Sequence, residues 1–264
     1  MSGIASRRTL SGAASVRITA AYALVLASVS LVLTALGPHA HEVAVSRMST
    51  NLHNLAHGRL TTLIGSAFVD DGEICFCLPW LVCLLALGEL IWRGRGLVIA
   101  FAVGHIGATL IVAAGLVVAV KVGWLPLSIA HASDVGVSYG AVCVLGALTA
   151  SIPLRWRPAW VGWWLGIAVL VAMGGDFTAA GHVVALLLGI ALSYRLPATT
   201  HWSPIRIALL VAGSAFGYFS LSGGFPGAPA AGLAGALIAL LAGQLVQARN
   251  DIPQPESAPQ PSPA

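Results

Sequence analysis

Charge is what this sequence lacks. Only 8% of its 264 residues are Asp, Glu, Lys or Arg, and 58% are hydrophobic. Soluble chains carry roughly a quarter charged residues, so a self-covering soluble domain is excluded. The scarcity also removes the basic stripe a nucleic-acid binder needs, although the net charge is +4. Cysteine is sparse as well. Cys75 and Cys77 stand too close for an easy disulfide, while Cys83 and Cys143 lie in apolar runs. There is no CxxC pair, and no His stands at zinc spacing to a Cys. The four thiols therefore read as small apolar residues. Phosphate loops, dinucleotide fingerprints and internal repeats are missing too. Nothing in the sequence asks for a metal, a cofactor or a nucleic acid.

What is present is a series of long apolar runs. A hydrocarbon core about 30 Å thick takes roughly 20 residues per helix. Residues 18–36, 74–92, 97–120, 134–152, 158–175, 177–194, 205–222 and 228–247 satisfy or approach that length. The chain reads as an all-α, polytopic membrane protein with eight candidate spans. Gly174, Gly175 and Asp176 mark a tight hairpin, and "SGGFPGAP" separates the last two spans.

Basic residues orient the chain. With the N-terminus inside, the inner segments carry Arg7, Arg8, Arg17, Arg93, Arg95, Arg155, Arg157, Arg195, Arg206 and Arg249; the outer segments carry Arg47, Arg59 and Lys121. Basic residues accumulate on the cytoplasmic side, so both termini are expected in the cytoplasm of a multi-pass protein of the cell membrane. "SRRTLSG" has a twin-arginine flavour, but the apolar run behind it is longer than an export signal's, and a first spanning helix is the better reading.

Four regions follow. Residues 1–17 form a basic cytoplasmic start, and 18–195 a six-helix membrane core. Residues 196–247 hold two more spans, and 248–264 a Pro-rich cytoplasmic tail expected to be disordered. Within the core, residues 38–73 make a long outer loop. Leu52, Leu55, Leu60, Leu63 and Ile64 recur at helical spacing there, which predicts amphipathic helices in the outer interface.

Ionisable groups inside spans are costly and mark function by default. Glu89 lies four residues before Arg93, which predicts an i,i+4 ion pair. His105 in "VGHIGAT" is either an interhelical hydrogen-bond partner or part of a proton relay. Asp134 and Asp176 directly precede apolar runs and read as helix N-caps. Counted inward from those caps at 1.5 Å per residue, Ser138 lies roughly 6 Å and His182 roughly 9 Å deep. A serine becomes a nucleophile when a base takes its proton, and histidine is the usual base. Gly136, Gly140 and Gly146 on one span and Gly181, Ala185 and Gly189 on another suit close helix packing in lipid. On the residues alone, Ser138 and His182 are a nucleophile–base pair or a packing contact.

These motifs resemble the rhomboid intramembrane serine proteases. Gly136, Val137 and Ser138 match the start of that family's G-x-S-G, and Leu145, Gly146 and Ala147 the distal part of the motif. His182, Ala185 and Gly189 match its histidine motif, and Arg59 in "HGRLTTLIGSAF" resembles the basic residue of its outer loop. Tyr139 replaces the glycine after the serine. The family's H-x-x-x-N, which helps bind the oxyanion, has no counterpart in "FVDDGEICFCLPWLV".

The resemblance implies a rhomboid-like six-helix core plus two C-terminal helices, with Ser138 and His182 as catalytic dyad. Gly136, Tyr139, Asn54 and His57 would line the site, and Asp134 and Asp176 would cap helices beside it. The partners implied are the lipid bilayer and transmembrane substrates, and no cofactor is implied. Two other readings stand beside protease: a rhomboid-fold pseudoprotease binding transmembrane clients, and a proton-coupled transporter.

Overall fold

Residues 16–70, 74–199 and 201–250 are described by a computed structural model. Among them the chain is helical and contains no strand. The elements are α1 (Arg17–Leu36), α2 (Pro38–Met48), α3 (Leu52–Ala56), α4 (Thr62–Gly65), α5 (Ile74–Ala102) and α6 (Ala108–Lys121). They continue with α7 (Ser138–Ala147), α8 (Arg157–Ala172), α9 (Phe177–Ser193), α10 (Pro204–Ser222) and α11 (Ala228–Asn250). A π-helical turn, Val103–Gly107, joins α5 to α6, and a 3-10 turn, Leu148–Ser151, extends α7. The chain is thus an all-α polytopic membrane protein.

Among the described residues, four segments are long and apolar enough to cross a membrane: Arg17–Leu36, Phe76–Lys121, Pro204–Ser222 and Ala228–Gln247. The second of these is two arms. Arg93 breaks α5 with φ 60° and ψ 175°, a conformation that L-residues rarely adopt. Leu85 and His105 line one cavity of about 260 Å³. An unbroken helix would hold them about 30 Å apart. The chain therefore folds back at Arg93.

The other apolar helices are shorter than the sequence reading expects: α7 has 10 residues, α8 16 and α9 17. The physical reason is position. Every residue of α7 from Tyr139 to Ala147 is buried, so this helix meets protein on all sides and need not match the bilayer alone. By contrast α1 and α11 leave Leu24, Leu31, Leu237 and Leu245 exposed, as lipid-facing helices do.

Glycine sets the helix spacing. A Cβ at Gly146 would sit 2.6 Å from the Leu186 carbonyl oxygen, and one at Gly189 would meet the Cys143 carbonyl. So α7 and α9 touch backbone to backbone. Gly162 of α8 and Gly235 of α11 pair in the same way, and a Cβ at Gly213 of α10 would sit 2.8 Å from Leu84 Cα of α5. The two C-terminal helices thus flank the core on α5 and α8.

Glu89 does not pair with Arg93. Its Oε2 accepts hydrogen bonds from the Thr19 backbone N–H at 2.8 Å and hydroxyl at 2.7 Å; Oε1 accepts from Ile18 N–H at 3.0 Å. A carboxylate satisfies the free amides at the start of α1, where the helix dipole also favours it. The ion-pair expectation failed because it used only neighbours along one helix.

The arginine-rich end of the bundle is closed by similar contacts. Arg157 donates to the Ile152 and Ala150 carbonyls below α7, and Arg206 to those of Leu90 and His201. Trp92 and Trp202 donate their indole N–H to Pro197 and Ser151.

Candidate functional site

Ser138 is the first residue of α7 and is half-buried. The chain reaches it through Gly136, whose φ of 114° lies in the region glycine favours. The Gly136 N–H donates to the Ser66 carbonyl at 2.9 Å, which fixes the approach. No side chain among the described residues caps α7. The first amides of a helix have no partner within it, so those of Ser138, Tyr139 and Gly140 are available to an acceptor.

Asp134 is not that cap. Its N–H donates to Ser49 Oγ at 2.8 Å, its Oδ2 accepts from the Thr50 hydroxyl at 2.9 Å, and its carbonyl accepts from Thr50 N–H at 2.9 Å. The residue clasps the outer loop to the start of α7, and residues 134–137 are not helical. Burial raises the Asp134 carboxyl above its ordinary range, opposed by the hydroxyls of Thr50 and Tyr139. Asp176, by contrast, stands at the N-cap of α9 and accepts from Thr178 N–H at 3.0 Å.

His182 is buried one turn and a half into α9, and its Nε2 has no hydrogen-bond partner among the described residues. No hydrogen bond joins it to Ser138 among the described residues. The ring that meets it is that of Tyr139, with centroids 5.2 Å apart and planes at 82°. Tyr139 packs over Gly181, where a Cβ would collide with the phenol oxygen. That hydroxyl faces Asp134 and Thr178 without closing a hydrogen bond to either. The Ser138 helix start, His182 and Tyr139 therefore share the outer-loop end of the α7–α9 interface.

Asn54 and His57 are engaged elsewhere. Both amide hydrogens of Asn54 go to loop carbonyls, Ser46 at 3.1 Å and Ser49 at 2.8 Å, and its Oδ1 accepts from Arg59 at 3.2 Å. The His57 Nδ1 lies 2.7 Å from the His53 carbonyl, and its ring sits tilted at 44° against the His53 ring on the exterior. These groups build the loop. His105 bonds to Ser66 Oγ through Nε2 at 3.1 Å, with Nδ1 turned toward the Leu63 backbone. The π turn, which misaligns the helix locally, carries His105 to that serine. Sequence reasoning missed the Ser49–Thr50 clasp, because its partners lie 84 and 85 positions away.

What the arrangement offers chemically is a hydroxyl at the start of α7, a helix packed against the one that carries a buried imidazole whose Nε2 has no partner among the described residues. Residues 15–201 match the family described as rhomboid-like protein. The matched stretch closes before α10 begins. No curated protein and no solved structure matches the chain.

Proposed function

This chain belongs to the rhomboid-like proteins, and on that premise we propose that it is an intramembrane serine endopeptidase acting on transmembrane substrates. The observation that carries the reading is the uncapped start of α7, with Ser138 as its first residue, packed against the helix of an unpartnered His182. Ser138 Oγ attacks the scissile carbonyl carbon while His182 takes the hydroxyl proton. His182 returns that proton to the leaving amine, and water then hydrolyses the acyl-enzyme. The free amides at the helix start supply the oxyanion donors that the missing H-x-x-x-N would otherwise give. One such donor is worth roughly 10² to 10³ in turnover. The reaction requires Ser138 Oγ to come within hydrogen-bond reach of His182, and catalytic hydrogen bonds are often looser in unliganded sites. The site uses only protein groups, without a cofactor. The protein would lie in the cell membrane with both termini cytoplasmic.

A second reading, a rhomboid-fold pseudoprotease that binds transmembrane clients, is favoured by one observation. The Tyr139 ring already occupies the edge-on position against His182. Transport has less support, since His105 and Asp134 are held in loop contacts.

Fluorophosphonate labelling of the purified full chain separates the two. A protease gives labelling of the wild type that disappears in both Ser138→Ala and His182→Ala, with matching loss of substrate cleavage. Absence of labelling and of cleavage in folded wild type overturns the catalytic reading in favour of the binding one.

A further inference from the structure

We propose that the arginine-rich end of the bundle holds an anionic glycerophospholipid, its phosphate between Arg93 and Arg95 and one acyl chain in the cavity between α1 and the second arm of α5. Two neighbouring cavities carry the argument. One, of about 260 Å³, is lined by Tyr22, Leu97, Phe101, Ile106 and others. The second, of about 770 Å³, contains Trp92, Arg93 and Arg95. They share Ile18 and Val98 as lining residues, so they adjoin each other.

The smaller cavity suits a hydrocarbon. It runs from Leu97 to His105 along one helix, about 12 Å at 1.5 Å per residue, which is most of one leaflet's half of a core about 30 Å thick. Its polar residues turn their polar atoms away. The Tyr22 hydroxyl donates to Ala67 O at 2.6 Å, the Thr19 hydroxyl to Glu89, and His105 Nε2 faces Ser66. An apolar void open to the bilayer is filled by the apolar molecule around it.

The larger cavity suits an anion. Arg93 and Arg95 are exposed and make no hydrogen bond or ion pair among the described residues. The backbone break places Arg93 at the turn, where its guanidinium is free of the helix. Glu89, four residues before Arg93 in the chain, is buried and has both oxygens engaged by the start of α1. Guanidinium groups recognise phosphate through paired N–H donors.

The test uses full-length protein reconstituted in phosphatidylcholine vesicles containing spin-labelled phosphatidylglycerol or spin-labelled phosphatidylcholine as trace probes. Selectivity is read from the motionally restricted fraction of each. The expected result is preferential restriction of phosphatidylglycerol, reduced about fivefold for each arginine removed by Arg93→Gly and Arg95→Ala. These exposed, unbonded side chains can be removed without unfolding the chain. Ala102→Phe, which fills the slot, should lower restriction of both probes. Equal restriction of the two lipids by wild type, or selectivity unchanged in the double arginine variant, overturns the proposal. Neither outcome depends on Ser138 reactivity.

Discussion

Tyr139 meets His182 edge to face, ring centroids 5.2 Å apart, with its hydroxyl buried and unpartnered. A buried hydroxyl without a partner is a desolvation cost of about 1–3 kcal/mol. Tyr139→Phe keeps the ring contact and removes that oxygen, so it should raise stability by about 1 kcal/mol in detergent unfolding. It should leave fluorophosphonate labelling of Ser138 within about twofold. A loss of stability instead would mean that Asp134 or Thr178 bonds the hydroxyl in solution.

Glu89 and Thr19 make a second relationship to test. Glu89→Ala leaves the Ile18 and Thr19 amides and the Thr19 hydroxyl without an acceptor in a buried setting. Loss of a helix cap costs about 0.5–2 kcal/mol and loss of hydrogen bonds to a charged group about 1.5–3 kcal/mol each. The variant should lose at least about 3 kcal/mol. Arg93→Ala should lose little, because Arg93 is not the partner of Glu89. Equal losses in the two variants would restore the ion pair.

Glycine substitutions should divide sharply by location. Gly189→Ala puts a methyl against the Cys143 carbonyl of α7, whereas Gly115 has nothing within 4 Å. The first should cost about 1–3 kcal/mol through forced separation of α7 and α9, and with it any Ser138 labelling. Gly115→Ala should stabilise by up to about 1 kcal/mol through helix propensity. Similar behaviour of the two would mean that α7 and α9 are not in backbone contact.

Asp134 gives a pH dependence with a definite sign. Burial raises its folded carboxyl above the ordinary carboxylate range. A raised acid favours the protonated form in the fold, so its contribution is fullest below the unfolded value and is lost as pH rises through the folded one. Asp134→Asn keeps an acceptor for Thr50 and carries no charge. It should unfold at a higher temperature than wild type at pH 7, with the gap closing as pH falls toward 4. A gap that widens on acidification would contradict the assignment.

Much of the architecture was legible in one dimension. Helix existence followed from hydropathy, because lipid forces backbone groups to bond within a segment. The hairpin at Gly175 and the glycines at 136, 146 and 189 were legible as punctuation and as small-residue spacing. Helix lengths were less so. The start of α7 shifted from 134 to 138 because Asp134 bonds across the chain to Ser49 and Thr50.

The sequence by itself determined a multi-helix membrane protein, the small-residue faces of α7 and α9, and the presence of Ser138 and His182 on those helices. Local periodicity and composition decide such things, since each depends on residues a few positions apart. Only the tertiary structure decided what each polar group bonds. It sent Glu89 to the start of α1, Asn54 to its own loop and Asp134 to Thr50, and it set the Tyr139 ring rather than the Ser138 hydroxyl against His182. A buried polar atom takes whichever partner the packing brings within about 3 Å, and that partner can stand anywhere in the chain.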